Sequence, residues 1–317
     1  MEYRSLGTAG PLVSTVGIGC NNFGRQKTPT GTQEGTNAVI DAAIEAGITL
    51  FDTADIYGSQ RGLSETLMGN ALGRRRADIV LATKFGMDMD GLNGPDGGAR
   101  GSRSYIRRAV QSSLTRLQTD WIDLYQLHQP DPLTPIEETI AALDELVTEG
   151  TVRYIGHSNL SGWQIADAEH IARAGGYARF ISAQSEYSLL ERGVEAEVLP
   201  AVRHFELGFL PYFPLFNGLL TGKFTREGGP ADSRIMAIRP HVHENAPWDT
   251  LEAYADFCER RGVTMLNATF AWMLAQPGLT SVIAGATRPE QITQNGDAAT
   301  AWQPSADDLE AISAIFT

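Results

Sequence analysis

Val16-Gly17-Ile18-Gly19-Cys20-Asn21-Asn22 opens the regular part of this 317-residue chain, and its reading decides the fold. A doubly wound dinucleotide-binding sheet needs G-x-G-x-x-G after its first strand, where the third glycine lets helix and strand pack closely. Here the third place is Asn22, so the fingerprint fails. Working outward, short apolar segments rich in β-branched and aromatic residues alternate with helical patterns to the end of the chain. Eight strands are predicted: Val16–Gly19, Thr49–Ala54, Ile79–Lys84, Ile122–His128, Arg153–Ser158, Phe180–Glu186, Gly208–Pro214 and Ser281–Gly285. Such alternation implies a parallel sheet covered by helices. With eight strands and no glycine fingerprint, the α/β class resolves to a single (β/α)8 TIM barrel rather than an open doubly wound sheet. A hairpin, Glu2–Leu6 and Leu12–Ser14 around Thr8-Ala9-Gly10, precedes it. No linker-like shift in composition divides residues 1–317, which read as one domain.

The helices are well signed. Over Ser104–Gln118, Ile106, Ala109, Val110, Ser113, Leu114 and Leu117 share one face at i, i+3, i+4 spacing. Thr134-Pro135-Ile136-Glu137 predicts a capping box with proline at the first helical position, and the helix stops at Gly150. Ser161 and Gln164 repeat the capping-box spacing. Glu34–Ala46 ends at Gly47, and Leu63–Leu72 ends at Gly73.

Composition narrows the function. Hydrophobic residues at 42% and charged residues at 20% exclude disorder, collagen and coiled coil. No apolar run approaches the ~20 residues of a membrane helix, and MEYRSLGTAG lacks the layout of a signal peptide. With 38 acidic against 25 basic residues, the net charge is −13. That balance repels phosphate backbones and anionic lipid, so no nucleic acid and no membrane is expected as a partner. A phosphate-bearing ligand would need a few local donors. Two cysteines, Cys20 and Cys258, make neither a disulfide framework nor a zinc site, and a reducing cytoplasm is expected.

Three strand-to-helix connections are long: Phe85–Arg103, Gly218–Pro247 and Asn21–Gln33. In a barrel they all emerge at the C-terminal face, where such folds carry their chemistry. Three consecutive strands end there in different polar residues, Asp52, Lys84 and His128. Adjacent strands lie about 4.8 Å apart, which lets Asp52 and Lys84 pair with His128 beside them. Tyr57 sits five residues past Asp52. A phenol with a pKa near 10 is a poor acid at neutral pH, and an ammonium held by a carboxylate is expected to lower it. With a histidine donor to orient a carbonyl oxygen, the quartet suits protonation of a developing oxyanion. Taken singly, each residue has a plain alternative: a structural ion pair, a surface tyrosine, a satisfied core histidine. Cys20 reads as a buried small hydrophobe and His157 as packing. His241, His243 and Glu244 have metal-like spacing but read as surface loop, so no metal is expected.

At these residues the chain resembles the aldo-keto reductase superfamily. FDTADIYG, GLSETLMGNALG, IVLATKFG, TDWIDLYQLHQPD, GTVRYIGHSN, AQSEYSLL, LPYFPLFNGLLTGKF and SVIAGATRPEQITQN occur in family order from about Val16 to Asn295. The style is similar to the bacterial and potassium-channel β-subunit-like branch. The resemblance implies a barrel that binds NADP(H) along its C-terminal rim without a Rossmann motif. It also implies that Tyr57 is the general acid/base, Lys84 and Asp52 its tuners, and His128 the carbonyl orienter. Ser158, Asn159 and Gln184 match positions that hydrogen-bond the nicotinamide carboxamide, and Asp52 would also meet the nicotinamide ribose. Tyr212 matches the aromatic that stacks on the ring, with Leu215 in the same cofactor-binding stretch. Lys223 and Arg234 match phosphate-contacting positions. Gly285, Thr287, Arg288, Gln291 and Asn295 match the adenosine 2′-phosphate site. There Gly285 and Gln291 stand where better-known animal reductases carry Lys and Arg, leaving Arg288 and the amides of a helix N-terminus to hold the phosphate.

The expected activity is therefore NADPH-dependent reduction of an aldehyde or ketone, with an apolar carbonyl compound as substrate. An NADP(H)-binding regulatory or redox-sensing protein with slow turnover is the alternative. A divalent-metal barrel enzyme is disfavoured because only Asp52, His128 and Glu186 qualify as ligands, with Lys84 among them. A monomer is expected for this fold.

Overall fold

Eight segments of the chain repeat one local pattern, a short strand that is buried on both sides followed by a connection and a helix. In the computed structural model, residues 1–231 and 233–317 are described, and position 232 of the predicted 218–247 connection lies outside them. The chain begins with an antiparallel hairpin of β1 (Tyr3–Ser5) and β2 (Leu12–Ser14). The eight parallel strands are then β3 (Val16–Gly19), β4 (Leu50–Asp52), β5 (Val80–Phe85), β6 (Ile122–Leu127), β7 (Val152–Ser158), β8 (Phe180–Glu186), β9 (Gly208–Tyr212) and β10 (Val282–Gly285). Their order is β10-β3-β4-β5-β6-β7-β8-β9. Between Phe209 and the segment leading to β10 the ring nearly closes, through Phe209 N–H to Gly278 O and Thr280 N–H to Phe209 O, both 2.9 Å. This is a (β/α)8 TIM barrel with an N-terminal hairpin, as predicted.

The helices are α1 (Gln33–Glu45), α2 (Leu63–Leu72), α3 (Arg103–Leu117), α4 (Ile136–Thr148), α5 (Gly162–Gly175) and α6 (Val198–His204). Then follow α7 (Arg234–Ile238), α8 (Pro240–Glu244), α9 (Trp248–Arg261), α10 (Met265–Leu274), α11 (Pro289–Ala298) and α12 (Ala306–Ile315). The apolar face predicted for α3 is the face it buries. No helix among the described residues is long and apolar enough to cross a membrane.

Side-chain alternation sets the chemistry of the barrel interior. Leu50, Ala82, Leu124, Ile181, Leu210 and Ile283 form one buried cluster with Leu6 and Val13 at the hairpin. Two residues further along β4, β5 and β6, on the same faces, stand Asp52, Lys84 and Gln126. An apolar plug is thus succeeded by a polar layer toward the C-terminal rim.

Local expectations differ in places. β4 stops at Asp52, β6 at Leu127 and β9 at Tyr212, short of the predicted ends. Phe213 takes a left-handed φ of 53°, which ends β9 before Pro214. The capping box predicted at Thr134 does not form. The Thr134 hydroxyl donates to Asp131 Oδ2 at 2.7 Å, so Pro135 flanks α4 and the helix begins at Ile136. At α5, Gln164 Oε1 accepts from the Ser161 backbone N–H at 3.0 Å. The predicted 218–247 loop contains two short helices, α7 and α8.

Candidate active site

The polar layer is held by one buried ion pair. Lys84 Nζ donates to Asp52 Oδ2 at 2.6 Å and to the Thr53 carbonyl at 2.9 Å. The Lys84 side chain is fully buried and that of Asp52 is 5% exposed. Asp52 Oδ1 accepts from Gln126 Nε2 at 3.1 Å and Gln184 Nε2 at 3.0 Å. Both carboxylate oxygens are thereby satisfied, the condition under which a buried charge is tolerated. Burial by itself would lower the Lys84 ammonium, but Asp52 and then Tyr57 outweigh it and raise the group above its ordinary range. The lysine is a fixed cation.

The loop after β4 folds back over that cation. Asp55 N–H donates to Lys84 O and Tyr57 N–H to Ala54 O, each at 3.1 Å. The Tyr57 phenol lies within electrostatic reach of the Lys84 ammonium, and Nζ lies 5.2 Å from the ring centroid. His128 sits one residue beyond β6, where its N–H continues the ladder to Phe85 O at 2.8 Å. Its ring meets the Tyr57 ring edge-on, with centroids 5.8 Å apart. The fold therefore brings Asp52, Tyr57, Lys84 and His128 together, as the sequence predicted.

The electrostatics correct one expectation. Burial raises the Tyr57 phenol by more than Lys84 lowers it, so its net shift is upward. Burial and then Lys84 push His128 down to about 3, leaving a neutral imidazole at physiological pH. A neutral ring can still donate one N–H.

Asn159 ties the neighbouring strands to this quartet. It adopts a left-handed φ of 62°, and its backbone N–H donates to Gln184 O at 2.9 Å. Its Nδ2 donates to His128 O and to Ser158 Oγ, both at 3.0 Å, while Oδ1 accepts from the Tyr212 hydroxyl at 3.0 Å. Ser158, Asn159, Gln184 and Tyr212 thus form one network that reaches Asp52. After Tyr212 the backbone is unusual: Phe213, Phe216 and Asn217 all have positive φ, and Leu215 flanks the turn that they make. Non-glycine residues held in this region cluster at functional sites.

The cations lie along the same rim. Lys223 is exposed, with Nζ 5.3 Å from the Phe224 ring. Arg234 is half-buried on α7, 5.8 Å from the Phe213 ring, and its Nε is buried without a hydrogen-bond partner among the described residues. At the far end, a side chain on Gly285 would come within 3.0 Å of Asn22 Nδ2, so the backbone there lies close to its neighbour. Gln291 Oε1 accepts from the Thr287 N–H at 2.7 Å, the Thr287 hydroxyl at 3.2 Å and the Arg288 N–H at 3.3 Å. Gln291 thus holds the Thr287 and Arg288 amides that lead into α11. Asn295 is buried one turn further along α11.

Sequence reading missed Gln126, although a polar amide at the register partner of Lys84 was a legible signal. It also passed over Arg25 and Arg239, which lie on different loops. Cys20 is buried beside the site, and burial raises its thiol well above the ordinary range. His157 is buried with both ring nitrogens unpartnered among the described residues. His241, His243 and Glu244 lie on α8 rather than in a loop. Among the described residues no group of three or more metal-ligating side chains forms.

Comparison with known proteins agrees with this architecture. The Aldo/keto reductase family matches residues 15–316. An uncharacterized oxidoreductase, YrpG of Bacillus subtilis, is 39% identical over 92% of this chain and 89% of its own length. A probable aldo-keto reductase 1 of Glycine max is 36% identical over 92% of this chain and 82% of its own. A probable voltage-gated potassium channel subunit beta of Oryza sativa is 34% identical over 93% of this chain and 90% of its own. With a match that spans nearly all of its length, this chain belongs to the aldo/keto reductase family of oxidoreductases.

Proposed function

We propose that the protein is an NADPH-dependent reductase of aldehydes or ketones. The observation that carries this reading is the buried Asp52–Lys84 pair beneath Tyr57, with His128 facing the phenol. The rim fits the cofactor chemically. Asn159 and Gln184 offer amides for a carboxamide, Tyr212 an aromatic face, and Arg234 a half-buried cation with an unpartnered Nε for phosphate. Lys223, Gly285, Thr287, Arg288, Gln291 and Asn295 extend this line toward the adenosine end.

When bound, NADPH supplies a hydride with its electron pair to the carbonyl carbon. The protein's own groups manage the oxygen. His128, neutral, donates a hydrogen bond that orients the carbonyl. Tyr57 gives its phenolic proton to that oxygen as negative charge develops, which yields the alcohol. Lys84 stabilises the phenolate left behind, and Asp52 keeps the ammonium aimed. The acidic surface supports a small-molecule substrate over nucleic acid or membrane as partner.

The test is NADPH consumption by purified protein against a panel of aldehydes and ketones, with Tyr57→Phe beside it. Turnover that collapses in the variant, while NADPH binding persists, supports the reading. Tight NADPH binding with no turnover of any carbonyl overturns it in favour of a redox-sensing role.

A further inference from the structure

Three half-buried arginines meet at the mouth of this site. Arg25 lies on the connection after β3, Arg234 on α7 and Arg239 just beyond it. Arg25 Nη2 reaches the Asn21 carbonyl at 3.3 Å, and Arg239 Nη1 lies 3.5 Å from Asn217 Oδ1. None of the three makes an ion pair with a carboxylate among the described residues. Elsewhere Arg76 pairs with Asp123 at 2.8 Å and Arg116 with Glu65 at 2.7 Å, while the half-buried Arg4 and Arg108 each spend their donors on two backbone carbonyls. In a protein with 38 acidic residues, three clustered and unpaired guanidinium groups are costly to hold together. Burial and mutual repulsion lower Arg25 and push Arg234 down to about 10.

Their surroundings divide the cluster. Arg234 faces Phe213 and matches a cofactor-phosphate position. Arg25 is within electrostatic reach of Tyr57. Arg239 is within reach of Glu186 at the end of β8, and Glu186 in turn acts on Tyr212. Burial and Glu191 raise Glu186, which weakens it as a counter-ion. Arg25 is therefore the arginine nearer the acid, and Arg239 stands between Arg25 and Glu186, tethered to Asn217.

We propose that Arg25 and Arg239 bind an anionic group of the substrate, a carboxylate or a phosphate, so that the preferred substrate is an anionic aldehyde or ketone. This rests on the reductase reading, and it replaces the apolar carbonyl compound expected from sequence. Planar guanidinium groups bind such oxyanions in pairs of hydrogen bonds, more strongly than neutral donors bind them. The competing source of the same chemistry is the cofactor's own phosphates.

The experiment compares 4-carboxybenzaldehyde with its methyl ester in wild type, Arg25→Gln, Arg239→Gln and the charge-retaining Arg25→Lys. NADPH affinity is measured on each by fluorescence. Wild type is expected to favour the acid by about tenfold in kcat/KM. Each glutamine variant should lose most of that preference, Arg25→Lys should keep part of it, and NADPH affinity should shift by less than twofold. Equal use of acid and ester by wild type overturns the proposal. So does an NADPH affinity that weakens about tenfold in the glutamine variants while the acid preference stays. Terephthalate, which carries no aldehyde, is also titrated calorimetrically into protein saturated with NADP+. Binding that is lost in both glutamine variants supports the anion site even where no aldehyde is reduced, so failure of the reductase reading is told apart. No binding to wild type overturns the proposal.

Discussion

Lys84 Nζ and Asp52 Oδ2 meet at 2.6 Å inside the barrel, and each is the other's counter-charge with both side chains almost fully buried. Removing one partner leaves a buried charge unpaired, which costs about 3–5 kcal/mol in comparable pairs. Lys84→Met is therefore expected to lower the unfolding free energy by that order in denaturant titrations. The double variant Asp52→Asn/Lys84→Met should recover part of the loss. A single variant as stable as wild type would mean that Gln126 and Gln184 satisfy Asp52 alone.

Tyr57 is raised by burial to a greater extent than Lys84 lowers it, so the phenol is protonated throughout the neutral range. Carbonyl reduction should be flat in kcat/KM between about pH 6 and 9, then decline as the phenol ionises. Alcohol oxidation needs the phenolate and should rise by about tenfold per pH unit toward alkaline pH. Initial rates in both directions check this. A reductive rate that falls through neutral pH would show that Lys84 dominates in the loaded enzyme.

His157 is fully buried and is pushed down to about 3 by burial, while an unfolded histidine titrates near 6.5. Between those values the unfolded chain binds a proton that the folded chain refuses. Stability is thus complete above pH 6.5 and is lost as pH falls, by about 1.4 kcal/mol per pH unit in the steep part. Burial and Lys84 push His128 down in the same direction. His157→Leu should remove one proton's worth of that slope in urea titrations between pH 4.5 and 6.5. An unchanged slope would place the titrating histidine elsewhere.

Arg288 stands beside the capped start of α11, where Gln291 occupies the backbone amides. Arg288 is the cation that the sequence places at the expected 2′-phosphate site. Arg288→Ala is expected to weaken NADPH about tenfold and NADH by less than twofold, measured as dissociation constants by fluorescence. Equal weakening of both would remove Arg288 from 2′-phosphate recognition.

Much of this was written in local order. The eight strands, the hairpin and the buried face of α3 follow from periodicities of two and 3.6 that each segment carries within itself. The same period of two put Asp52 and Lys84 on the inner faces of their strands, and consecutive strands in a parallel barrel are neighbours, so their pairing was legible too. The tertiary structure alone decided which partner each polar group finds and which groups lose water. Thr134 has the spacing of a cap yet bonds Asp131. Gln291 stands in the stretch read as the 2′-phosphate site, and its side chain caps the start of α11. Tyr57 sits beside an ammonium yet shifts upward, because burial depends on every element packed around it. Arg25 and Arg239 are more than two hundred positions apart, and the net charge of −13 hides them. Only closure of the barrel brings their two connections to one mouth, where low dielectric and shared charge give the pair its meaning.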